Sequence, residues 1–278
     1  MDKIKKVYID SRYKTSDSIS NSDFKFELQE QFEVPDNTVC YIDDISIPHS
    51  WYTVEDYNNR LFISHQNPTT TNVDFNAVIE IPTGNYTGAS FASALQTAIQ
   101  ERFPWVSCVY NASKGTITFS SEYTFRIISD NLAISFQQWG IVWKDKNQQP
   151  VILEEGNLRS INDLIKHSVD IPASEASNTF ETEFLDLLNV HNIYMHCPNI
   201  GHYNCIGVRG ESSIIKKVPV SSSFGYLILD SVVAPHDKID VSRQSIKTMH
   251  FTLKNVHGNV INLHGAHISF SLVFQTIE

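Results

Sequence analysis

Apolar and polar positions alternate at both ends of the chain. Phe24–Leu28 (FKFEL) and Thr38–Ile47 (TVCYIDDISI) alternate, the second stopped by Pro48, and Leu61–Ser64 (LFIS) adds a short third run. A period of two predicts strands that bury one face. After residue 190 the pattern returns at Asn192–His196, Ile214–Val220, Tyr226–Leu229, Met249–Leu253 and His267–Phe274. The last two runs flank the polar turn Lys254–Asn259 and the link Asn262–Ala266, and read as a hairpin-type ending packed on a second sheet. The chain stops close to the end of the final run, which marks that run as the closing strand of a fold.

The middle of the chain reads differently. The polar stretch 65–74 (HQNPTTTNVD) reads as a linker, and Ala77–Ile81 is a strand ended by Pro82. Phe91, Leu95, Ile99 and Phe103 then recur every four residues between alanines. That spacing predicts one apolar helical face, opened near Thr87 or Ser90 and stopped at Pro104. Val106–Tyr110 and Thr116–Ser120 form a hairpin whose turn places Gly115 for a positive φ, and Thr124–Ser129 is a further strand. Short helices are predicted at Leu158–Lys166 and at Phe180–Leu188, the latter capped by Asn178 with Glu181 reaching back.

Three strands before residue 65 and five after 190 make eight, the number in a jelly roll. The fold class expected is therefore all-β: one eight-stranded jelly roll interrupted by an inserted β-rich domain with short helices. The boundaries expected are 1–74 for the first three strands, 75–180 for the inserted outer domain and 181–278 for the last five strands. Closure pairs the first strand near Phe24 with the last near Phe270. The rival partition is two consecutive β domains, 1–140 and 180–278.

Composition narrows the function. A net charge of −10 argues against nucleic acid as the main ligand, because phosphate binding needs a basic face. Residues 1–14 are locally basic (Lys3, Lys5, Lys6, Arg12, Lys14) and 170–190 carry five acids without a base. The first of these reads as a solvated terminus, the alternative being a basic arm that reaches for an acidic neighbour or for packaged DNA. Cys40, Cys108, Cys197 and Cys205 lack any C-x-x-C spacing, and Cys40 and Cys108 sit in apolar runs as small core residues. The start MDKIKKVYID has no apolar leader segment, and every apolar run falls short of the ~20 residues of a membrane helix. The chain reads as soluble and made in the cytosol, with no membrane insertion.

Candidate chemistry is sparse. Eleven histidines include His196, His202, His250, His257, His264 and His267, yet no spacing converges on a metal in the manner of a cupin enzyme. The sequence holds no G-x-S-x-G, H-E-x-x-H, P-loop or G-x-G-x-x-G. No catalytic, cofactor or metal residue is assigned. Asp43 and Asp44 interrupt a buried-looking strand, so at least one must face solvent or a partner. Trp51, Tyr52 and Tyr57 resemble a sugar platform that more often proves to be core. Trp139 and Trp143 are the candidate glycan contacts of the inserted domain.

Several segments together resemble a family. YIDSRYKTSDSISNSDFKFEL, DDISIPHSWYTVEDYNNRLFI, GNYTGASFASALQTAIQ, FLDLLNVHNIYMHCPNIGHYNCIGVRGESSIIKKVPV and LKNVHGNVINLHGAHISFSLVF look like minor capsid (penton) proteins of virophages, polinton-like viruses and Polinton/Maverick elements. The likeness runs in order over nearly the whole chain and is weakest at 144–178. It implies a jelly roll with an inserted outer domain, and a homopentamer at the vertex of an icosahedral double-stranded DNA virus. It also implies a double-jelly-roll major capsid protein as neighbour, location in the virion, and no catalysis. The alternative is a vertex- or fibre-associated protein whose inserted domain binds a host-surface glycan. Ring assembly needs two different, complementary surfaces per subunit. A closed sandwich is expected to hide its sheet edges.

Overall fold

The computed structural model describes residues 4–66, 74–166, 177–200 and 205–277. The first stretch holds β1 (Ile4–Asp10), β2 (Asp23–Glu33) and β3 (Thr38–Pro48). The middle holds β4 (Arg60–Gln66), β5 (Asp74–Glu80), α1 (Gly88–Gln100), β6 (Val106–Asn111), β7 (Thr116–Ile128), α2 (Asp130–Gln138), β8 (Trp143–Lys144), β9 (Pro150–Val151) and β10 (Ser177–Glu181). The last holds β11 (Asn192–His196), β12 (Ile214–Pro219), β13 (Leu227–Asp230), β14 (Ile239–Asp240), β15 (Ser245–Lys254) and β16 (Ser269–Thr276). The chain forms two compact units, one made of Met1–Trp51 with Val190–Glu278 and the other of Tyr52–Asn189.

The first unit is a jelly roll. One sheet runs β1-β16-β3-β13, with β14 also on β3, and the other runs β12-β11-β15-β2. Every neighbouring pair is antiparallel. Inward residues of both sheets share one core, in which Phe251 lies 5.5 Å from Phe24 and 5.0 Å from Phe270. At one corner the buried Lys216 of β12 reaches Asp237 (3.4 Å) and Asp230 (3.6 Å) and donates to the carbonyl of Val232. A buried lysine is tolerated there because carboxylates and a carbonyl replace its water.

Several expectations need correction. The amino-terminal segment is strand β1, not a solvated arm. Its Val7 and Ile9 turn inward while Lys5 lays its ammonium 3.8 Å from the Phe32 ring, so a lysine-rich run still closes a core. The last strand pairs with β1 and β3, whereas Phe24 belongs to β2 and pairs with β15 in the opposite sheet. The ending is thus no hairpin: β15 and β16 lie in different sheets.

A further correction concerns boundaries. Leu61–Ser64 is part of β4, which pairs with β5 and β7 in the second unit and is not a jelly-roll strand. Residues 65–74 join two paired strands, since Gln66 faces Asp74, and so do not link domains; 67–73 themselves lie outside the described residues. The interruption therefore runs from Tyr52 to Asn189 rather than 75–180. Leu61, Phe62 and Ile63 are apolar without alternation because their sheet is covered on both faces, which hides the period of two. Leu61 and Ile63 pack with α1, and Phe62 packs with α2 and Trp143.

The second unit's sheet runs β10-β7-β4-β5-β8-β9, with β6 on β7. α1 forms as expected. Thr87 accepts from the Ser90 amide and the Ser90 hydroxyl accepts from the Thr87 amide, closing a capping box, and Phe91, Leu95 and Ile99 are buried. Gly115 has φ +70°, as the β6–β7 turn requires. The two later helices are not formed. Residues 161–166 are turns, and Phe180 and Glu181 end strand β10, where Glu181 takes Lys114 and Thr116 instead of capping a helix. The unit's two ends meet: the Asn189 amide donates to the carbonyls of Thr53 (3.0 Å) and Tyr52 (3.4 Å) and to the Tyr57 hydroxyl (3.2 Å).

Candidate interaction surfaces

Among the described residues, four of the histidines that raised metal chemistry have a local partner for the ring. His196 is buried with Nδ1 3.0 Å from the Ser213 hydroxyl, His250 sits 2.5 Å from Asp23, and His264 Nδ1 lies 2.7 Å from the Ser50 carbonyl. His267 lies 3.4 Å from Ser11, and the carbonyl of His257 accepts from Arg209. They do not converge: among the described residues no group of three His, Cys, Asp or Glu side chains is placed to hold a metal. His202 lies outside the described residues, as do residues 170–176 of the acid-rich 170–190 segment. Burial pushes the thiols up, those of Cys108 and Cys197 to about 12 and that of Cys40 well above its ordinary value. Thiols held protonated in this way are poor nucleophiles.

The aromatic candidates separate. Trp51 is buried and stacks on His49 at 4.2 Å, so it is core and offers no platform. Trp143 is wholly buried between Phe62 and Phe136, and its indole N–H donates to the Ala133 carbonyl at 3.0 Å. Trp139 is 68% exposed, and its ring lies 5.8 Å from Phe136. The tryptophan pair thus presents one face. A groove of about 680 Å³ in the same unit is lined by Asp56, Glu80, Thr97, Glu101 and Asp145 among others. Glu80 is already held by Arg60 at 2.7 Å.

The jelly roll carries the more telling surfaces. β1 and β13 are the two edges of their sheet, and among the described residues each has a ladder on one side only. Ile4 and Tyr8 stand out from β1, and Leu227 and Leu229 from β13, all more than half exposed. Lys6 is turned onto Asp43 at 2.5 Å, and Asp230 faces Lys216. The charges at these edges are therefore occupied, and apolar groups face water. β2, an edge of the other sheet, instead exposes Glu27, Glu30 and Glu33. So the sandwich does not hide its edges as expected; it blunts one and leaves two apolar. The signal in the sequence was the unbroken apolar run Tyr226–Leu229, which reads as a strand covered on both faces although only one is covered within the subunit.

No protein-family model and no curated protein matches the chain. Among solved structures it is similar to the mavirus penton protein, with 8% identity, a TM-score of 0.50, and coverage of 99% of this chain and 100% of that one. A chain of the Sputnik virophage structure is similar at 12% identity and a TM-score of 0.43, covering 99% and 98% of the two chains. At such identities the likeness is one of fold: the chain is all-β, with a jelly roll, and shares its fold with the mavirus penton protein.

Proposed function

We propose that the chain is a structural minor capsid protein, five copies of which form the vertex of an icosahedral double-stranded DNA virus or virophage. The observation that carries this reading is the likeness to the mavirus penton protein over the full length of both chains, interruption included. The strand order within the jelly roll and its two apolar edges support it, because a ring needs two different surfaces on each copy. In this reading the protein acts by packing and not by catalysis. Its partners are its own copies and a double-jelly-roll major capsid protein, and it is made in the host cytosol and resides in the virion.

Native mass spectrometry of the purified chain over a concentration series tests the proposal. The expected result is a fivefold species that grows with concentration at the expense of monomer. A stable species of another symmetry, or monomer at every concentration, counts against it.

A further inference from the structure

The open edges of the sheet β1-β16-β3-β13 are complementary in three respects. The first is polarity. Each strand is antiparallel to the next, so across four strands β13 runs opposite to β1. When two copies stand in the same orientation, β13 of one meets β1 of the other antiparallel, the pairing that the rest of the sheet uses. Because the edges differ, the contact is head-to-tail, the kind of contact a closed ring is built from.

The second respect is the face on which the apolar groups stand. Leu229 lies opposite Ser46, Ser46 opposite Ser269, and Ser269 opposite Asp10. Residues directly opposite share a face, and alternation along each strand then puts Leu227 and Leu229 on the same outward face as Ile4 and Tyr8. Joining the edges brings aliphatic and aromatic side chains together as cross-strand neighbours.

The third respect is what is missing. A monomeric sandwich protects its edges with charge, as β2 does, and an exposed apolar edge invites pairing. At β1 and β13 the nearby charges are drawn away, Lys5 onto Phe32, Lys6 onto Asp43 and Asp230 onto Lys216. We propose that a second copy of this chain covers these edges, with β13 of one subunit paired antiparallel to β1 of the next. The inference rests on the ring reading above and specifies its contact.

Two edge variants test it: Leu227→Lys with Leu229→Lys, and Ile4→Lys with Tyr8→Lys. All four side chains point to solvent in the subunit, so each variant should fold, which circular dichroism and thermal unfolding check. The milder Leu227→Thr with Leu229→Thr keeps strand propensity and should raise the concentration for half-assembly about tenfold or more. Each lysine variant alone should be monomeric. Mixed in equal amounts they should give a one-to-one dimer and nothing larger, because each retains one working edge. Rings that persist in either lysine variant would overturn the edge contact while leaving the penton reading standing. Homodimers of a single variant would overturn it too, since they require a like-with-like contact. A wild-type chain that never associates would overturn both.

Discussion

His196 shows how burial fixes the chemistry of one residue. Its pKa is lowered, first by burial, which penalises the imidazolium, and then by the nearby Lys254, with Glu211 opposing. The folded state therefore prefers the neutral ring. The stability this gives is full above the ordinary histidine value of 6.5 and is lost as pH falls through the depressed one. The urea midpoint should drop on acidification from pH 7.5 towards 5. His196→Gln, which can still reach Ser213, should show a shallower drop; equal slopes in the two proteins would refute this origin. The sequence placed His196 on a strand, but eleven histidines offered no means of telling which is buried.

At the scale of the element, β3 resolves the pair Asp43–Asp44. Strict alternation from Cys40 and Ile42 would turn Asp44 inward and Ile45 outward. Instead the register with β16 slips between Ser271 and Leu272: Asp44 faces Ser271, Ile42 faces Leu272, and Asp43 is the extra residue of a bulge. Both aspartates then avoid the core while Ile42, Ile45 and Ile47 stay buried. Deleting Asp43 should leave the buried set and its pairing unchanged, with loss only of the solvent-exposed Lys6 pair, a small effect on stability. Inserting one alanine after Ile45 should turn Ile47 out of the core and cost about 2 kcal/mol or more. Chemical denaturation of the two variants measures the contrast, and equal losses would exclude the bulge account. The alternating strands of the jelly roll were legible for the reason that makes β3 informative: one buried face writes a period of two. β1 was not, because an edge strand tolerates lysines whose stems pack while their charges find partners. The strand at Phe180 was not either, since the helix-like pattern of FLDLLN just after it drew Phe180 and Glu181 into a helical reading, whereas these two pair with β7 and FLDLLN itself runs as irregular chain.

At the scale of the molecule, the two units have separate cores. Every buried residue of the jelly-roll cluster comes from Met1–Trp51 or Val190–Glu278, and those of the other two clusters come from Tyr52–Asn189. A segment with its own two-sided core should fold when expressed alone. Residues 52–189 should therefore give strand and helix signals in circular dichroism and one cooperative thermal transition. A molten fragment would mean that the jelly roll completes its core. The sequence suggested that the roll is interrupted, but it misjudged where, because a strand covered on both faces has no period to betray its sheet. The assembly surfaces were less legible still, since an edge is defined by the absence of a neighbour.

The hook that Asn189 makes to Tyr52 and Thr53 has a consequence for descent. It brings the two joints of the second unit to one place, so a recombination with both breakpoints there would exchange that unit whole. Related genomes could then carry unrelated sequences between the same flanking strands, and lineages would diverge fastest where the chain leaves and re-enters through this single doorway.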